Sequence, residues 1–122
     1  RRILNFGHTL GHAIEHVSGF SLLHGECVAI GMVLEARLAE RLGIAEAGVA
    51  ERIQDTLIRA TLPTSRPAHM DVDAIVASTR RDKKARAGAV EYALPTRIGE
   101  MTEQGGRWSV PVEEDVVRQI LT

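Results

Sequence analysis

The chain has one cysteine, no apolar run long enough to cross a bilayer and almost no net charge, and each shortage removes a class of explanation. A single thiol, Cys27, closes no internal disulfide; set in an apolar helical run, it reads as a buried thiol in a reducing compartment. A spanning helix needs roughly 20 mostly apolar residues. No stretch approaches that, and no signal-peptide pattern opens the chain. The formal net charge is -1, which gives no electrostatic reason for nucleic acid or an anionic membrane as partner. These absences together predict a soluble, cytoplasmic protein. Aromatic residues are also scarce, at 3%, and Trp108 and Tyr92 read as packing residues instead of a binding box. No internal repeat or low-complexity segment is visible.

What is present suffices for one core. With 122 residues and 44% hydrophobic composition, the chain can form a single compact domain and is too short for two comfortable ones.

Histidine is the concentrated residue. Four of the five histidines lie before residue 25. Residues four apart in an α-helix lie one turn apart on the same side, so His8, His12 and His16 form an imidazole stripe with Asn5 at its edge. Ser18-Gly19-Phe20-Ser21 reads as a helix stop, and a second helix beyond it brings His24 back towards the first. Clustered imidazoles point to metal or proton chemistry, because neutral imidazole is the commonest zinc ligand and titrates near neutral pH. The bland alternative is a set of partly buried polar groups with backbone partners. Gly7 and Gly11 flank the stripe, and each costs roughly 1 kcal/mol relative to Ala in a helix interior. Either plain close helix packing or the approach of a ligand accounts for them.

The remaining periodicity is mainly helical. The first helix is expected over about residues 3–17, and the second over about 26–42. The second is apolar nearly all round in its first half and carries Glu35, Arg37, Glu40 and Arg41 later, so its beginning should be buried and its end exposed, with its charges on a solvated face. A third helix, about 46–62, ends at Pro63. A fourth, capped by Asp71 or Asp73, runs to about residue 84, and His69 before it reads as a surface histidine. Arg80, Arg81, Lys83 and Lys84 close that helix; the helix dipole alone favours cations there by about 0.3–1 kcal/mol each. Alternation over 89–94 and again over 107–110, separated by Gly105-Gly106, predicts an antiparallel pair, and a last helix covers 113–121.

Two stretches resemble one family. Arg1-x-x-Leu4-Asn5-Phe6-Gly7-His8-Thr9-Leu10-Gly11-His12-Ala13-Ile14-Glu15, followed by His24-Gly25-Glu26-x-Val28-Ala29-Ile30-Gly31-Met32, resembles the metal and substrate segment of 3-dehydroquinate synthase. Downstream, Arg81-Asp82-Lys83-Lys84-x-x-x-Gly88 leading to Tyr92-Ala93-Leu94-Pro95-x-x-Ile98-Gly99 resembles the family's basic segment and the strand after it. The resemblance spans most of the chain, from Arg1 to about Gly99.

It implies a mainly α, multi-helix C-terminal domain that continues an N-terminal α/β domain binding NAD. No initiator Met precedes Arg1, which lies inside the motif, so residues 1–122 are expected to be an incomplete piece of a longer polypeptide. The implied reaction converts 3-deoxy-D-arabino-heptulosonate 7-phosphate, a phosphorylated seven-carbon sugar acid, to 3-dehydroquinate and phosphate, with catalytic NAD and a divalent metal, Zn2+ or Co2+. Carried over residue by residue, His8 and His24 match two metal ligands, and the third, a glutamate, lies upstream of Arg1. His12 matches a histidine near the phosphate, suited to relaying a proton. Asn5 and Arg1 match substrate contacts, and Lys83 or Lys84 matches the residue reaching the substrate's anionic end. Glu15 and Glu26 read as supporting or capping groups, and His16 has no assigned role. By the same resemblance the full-length enzyme is expected to be a homodimer, and the isolated piece inactive. Other sugar phosphate cyclases, such as 2-deoxy-scyllo-inosose synthase, and metal-dependent glycerol dehydrogenases share related architecture; a non-catalytic helical interaction module is the alternative from a different class.

Overall fold

The computed structural model describes residues 6–80, 90–97, 100–101 and 110–122. Arg1, Asn5, Arg81, Asp82, Lys83, Lys84, Gly88, Ile98, Gly99 and Trp108, all singled out above, lie outside the described residues, as does the turn at Gly105-Gly106. The described elements are α1 (His8–Val17), α2 (His24–Arg41), α3 (Val49–Arg59), α4 (Val72–Thr79), β1 (Val90–Tyr92), β2 (Pro95–Arg97), β3 (Glu100–Met101), β4 (Val110–Val112) and α5 (Glu114–Leu121). The protein is thus mainly helical with small antiparallel sheets.

Helix α1 begins at His8, because Gly7 takes a left-handed conformation (φ 86°) that only glycine adopts at little cost. It ends as the Ser18-Gly19 signal predicts. Gly19 is again left-handed, the Phe20 N–H donates to the Glu15 carbonyl and the Gly19 N–H to that of His16, which is the Schellman closure. The chain then reverses and α2 starts at His24, two residues earlier than the apolar pattern indicates. Glu26 accepts from the Leu23 N–H at 3.1 Å and caps its own helix.

The small residues of α1 and α2 are explained by their contact. A Cβ on Gly11 would stand 3.1 Å from both the Cys27 carbonyl oxygen and the Val28 Cα, and one on Gly31 would stand 2.7 Å from the Gly11 nitrogen. Backbone meets backbone here. Close helix packing is thus observed at both Gly7 and Gly11.

Two expectations need correction. The second half of α2 is mostly buried: Arg37 and Arg41 are exposed as expected, but Ala36, Leu38 and Ala39 are buried and Glu35 has no solvent exposure at all. Nor do all its charges face solvent, since Glu40 accepts from the Ala50 N–H at 2.6 Å and caps α3, whose own N-cap, Gly48, has no side chain to offer. Burial on several sides follows from position, because α2 packs against α1, α3 and α5. Helix α3 is also shorter than expected. It stops at Arg59, where Thr61 turns left-handed (φ 59°), ahead of Pro63.

The β segments form two sheets instead of one pair. β1 pairs with β4 in antiparallel register, Val90 opposite Val112 and Tyr92 opposite Val110. β2 and β3 form a separate antiparallel pair, Pro95 opposite Met101, that the sequence pattern does not reveal. Tyr92 is buried as a packing residue, and burial pushes its phenol well above its ordinary range. The core joins Leu10, Ile14, Cys27, Ile30, Leu34 and Leu38 of the first two helices to Ile75, Val76, Tyr92, Leu94 and Val117. On the outside, Arg80 pairs with Glu114 and Arg118 with Asp73, tying α4 to α5. His69 is exposed. Among the described residues, no helix is long and apolar enough to cross a membrane.

Candidate metal centre

His8 and His24 are each the first residue of a helix, and the tight α1–α2 packing brings their rings together on one side of the hairpin. His12 follows one turn after His8. Ring centroids lie 5.2 Å apart for His8 and His12, 5.7 Å for His8 and His24, and 5.6 Å for His12 and His24. One nitrogen from each ring lies within 4.8 Å of the other two. Around an ion bound at about 2.1 Å, ligand nitrogens can be at most about 4.2 Å apart, so small side-chain rotations close the gap. Three imidazoles suit zinc or another borderline divalent ion. The residues present therefore fit a metal.

Local partners orient two of the rings. The His8 Nδ1 faces the Phe6 carbonyl oxygen at 3.3 Å, and the His24 Nδ1 faces Glu15 Oε1 at 3.2 Å. With Nδ1–H donated in each case, the lone pair sits on Nε2, the nitrogen available to an ion. His8 is half-buried; His12 and His24 are exposed. The group is open to an incoming molecule. His16 lies one turn further along α1 and packs edge-on against Phe20 instead of joining the cluster. Cys27 is buried in the core, where burial and then Glu15 and Glu26 raise its thiol pKa, so it has no ligand role.

The sequence reading passed over Glu35. Its carboxylate enters beneath the N-terminus of α1, Oε1 accepting from the Gly7 N–H at 2.8 Å and Oε2 from the Leu10 N–H at 2.9 Å. Burial pushes this carboxyl up to about 8, while bonds from the Leu10, Gly7 and Thr9 backbone pull it back. A usable signal does exist in the sequence. Gly7 supplies no capping side chain, and Glu35 shares a helical face with Gly31, one turn earlier in α2, where backbones touch.

Comparison with known proteins places this arrangement. A protein-family profile described as 3-dehydroquinate synthase C-terminal matches residues 1–85. The 3-dehydroquinate synthase of Nostoc punctiforme is 45% identical over 123 residues, covering 99% of this chain and 32% of that protein. That of Symbiobacterium thermophilum is 49% identical over 102 residues, covering 83% of this chain and 28% of that protein. The chain thus spans about a third of the length of the relatives it matches. Among solved structures, 2-deoxy-scyllo-inosose synthase complexed with carbaglucose-6-phosphate, NAD+ and Co2+ superposes with a TM-score of 0.85 at 23% identity, over 98% of this chain and 32% of that one. For 2-epi-5-epi-valiolone synthase from Streptomyces hygroscopicus, with NAD+ and Zn2+ bound, the TM-score is 0.76 at 27% identity, over 97% of this chain and 31% of that one.

Proposed function

The chain belongs to the 3-dehydroquinate synthase family, and from that membership we propose that it forms the helical metal- and substrate-binding part of an enzyme of that activity. The full-length protein would convert 3-deoxy-D-arabino-heptulosonate 7-phosphate to 3-dehydroquinate with elimination of inorganic phosphate, as a carbon-oxygen lyase of aromatic amino acid biosynthesis. The observation that carries the reading is the convergence of His8, His12 and His24 on one side of a helical hairpin. The higher identity to 3-dehydroquinate synthases, 45% against 23% for the superposed 2-deoxy-scyllo-inosose synthase, favours this substrate over those of other cyclases.

His8 and His24 would hold the divalent ion, with a glutamate from outside this chain as third ligand. When bound, such an ion would lower the pKa of a substrate hydroxyl and polarise a carbonyl, and NAD, held mainly outside this chain, would supply reversible hydride chemistry. The chain's own residues bind and orient. Glu15 and the Phe6 carbonyl hold the His24 and His8 rings in the metal-binding tautomer. His12, exposed beside them, moves a proton at its ring nitrogen to or from the reacting groups. Arg1, Asn5 and Lys83 or Lys84 would contact the substrate's carboxylate and phosphate. We place the full-length enzyme in the cytoplasm as a homodimer, and expect residues 1–122 alone to be inactive.

The test is bound metal and turnover in the full-length protein. His8→Ala should lose both. His12→Ala should keep the metal and lose at least about a hundredfold in kcat, the usual scale of a positioned proton-transfer group. Unchanged turnover in His8→Ala would remove the metal assignment, and lost metal in His12→Ala would make that residue a ligand instead of a relay.

A further inference from the structure

We propose that Glu35 is a positioning residue for the metal group: through the backbone on either side, it fixes where His8 stands. The inference rests on the metal reading above and adds a residue to it. The two N–H groups it accepts from belong to Gly7, the N-cap, and Leu10, the third residue of the helix. A capping box satisfies these two donors with two separate side chains, one at each of those positions. Here one buried carboxylate from another helix does both, and His8 lies between the two points it grips. The His8 ring is held in turn by the carbonyl of Phe6, the residue before that grip.

The geometry is reciprocal. α2 sends Glu35 to the start of α1, where His8 is the first residue; α1 sends Glu15 to the start of α2, where His24 is the first residue, its Oε1 3.2 Å from the His24 Nδ1. Each helix thus carries one of the two proposed ligand imidazoles, His8 or His24, and steadies the other's. Glu35 has no exposure, so its carboxylate has no water to turn to if the N-terminus of α1 shifts. Movement of His8 therefore requires breaking buried bonds to a group on the opposite helix.

The experiment uses the full-length protein loaded with Co2+, whose visible absorption reports ligand geometry. Glu35→Gln keeps the shape of the side chain but replaces one acceptor oxygen with a donor nitrogen facing an N–H. It should weaken Co2+ binding by on the order of tenfold or more and shift the visible bands. Val117→Ala, a core change in α5 away from the histidines, serves as a control for destabilisation and should leave affinity and spectrum unchanged. His8→Ala separates the two layers of argument. If it binds Co2+ as the parent does, the metal reading itself is wrong; if it loses Co2+ while Glu35→Gln keeps parental affinity and spectrum, the positioning role is overturned and the metal reading stands. Should Glu35→Gln fail to fold, hydrogen exchange in the unmodified protein decides. Because coupling is mutual, Zn2+ loading should slow exchange at the Gly7 and Leu10 amides by about tenfold, and unchanged rates there would overturn the proposal.

Discussion

The N-termini of α1 and α3 are solved with the same parts and to different degrees. Both helices start after a left-handed glycine without a capping side chain, Gly7 and Gly48, and both borrow a glutamate from α2. At α3, Glu40 gives one bond to Ala50 from a partly buried position. At α1, Glu35 gives two bonds and is wholly buried. Crowding differs in the same direction: a Cβ on Gly7 would stand 2.5 Å from Met32 Cγ and 2.9 Å from the Val28 carbonyl oxygen, whereas nothing lies within 4 Å of one on Gly48. A single partly buried bond suffices to start a helix. The heavier construction stands beneath the helix that carries His8 and His12, where the position of a side chain matters more than the existence of the turn.

The glycines offer the largest contrast. Gly48→Ala should cost about 1 kcal/mol, the left-handed penalty alone. Gly7→Ala adds a clash with the backbone of α2 and should cost about 3 kcal/mol or more, read as a drop in the denaturation midpoint. Equal losses at the two positions would show that crowding is irrelevant. Next come the glutamates. Glu35→Ala strands two buried N–H groups at about 1–3 kcal/mol each and should destabilise by about 2–4 kcal/mol, against about 1 kcal/mol for the lost cap in Glu40→Ala. If Glu40→Ala proves the more damaging, the two caps have been ranked wrongly.

The last contrast is a slope. The Glu35 carboxyl lies near 4.5 in its ordinary state and about 8 in the fold, so between these values the folded chain holds a proton that the unfolded chain releases. Its contribution is fully present below about 4.5 and is lost as pH rises through 8, at no more than about 1.4 kcal/mol per pH unit. Glu35→Gln should lack that component and show a flatter stability profile from pH 5 to 8 than the parent. Parallel profiles for the parent and Glu35→Gln would mean that the buried carboxyl does not take up a proton on folding.

How much of this was legible in the sequence depends on the range of the interaction. The four-residue spacing of His8 and His12, the Ser18-Gly19 stop and the return to His24 are local signals, and the hairpin follows from them. Gly7 and Gly11 announced a close approach without saying of what. Glu35 was misread because it stands among Arg37, Glu40 and Arg41 in the outer half of a helix, a context that elsewhere means solvent. Its role depends on what Gly7 lacks, and that pairing exists only once α1 lies on α2. The β2–β3 pair escaped notice because two- and three-residue strands beginning at Pro95 leave no alternation to detect. Of the residues matched to substrate contacts by resemblance, Arg1, Asn5, Lys83 and Lys84 lie outside the described residues.

The Schellman turn at Gly19 has a bearing on how the histidines meet in time. Since residues 8 to 24 form one helical hairpin, joining their imidazoles closes only a short loop, for which the entropy loss is small and grows slowly with length. The separation from His8 to His24 is close to that from Tyr92 to Val110 in the β1–β4 pairing, so chain order and not loop length distinguishes the two. Because residues 8–24 precede β1 to β4 in the chain, a nascent polypeptide would have its imidazoles clustered before its sheets exist, and an ion captured at that stage would act as a folding seed.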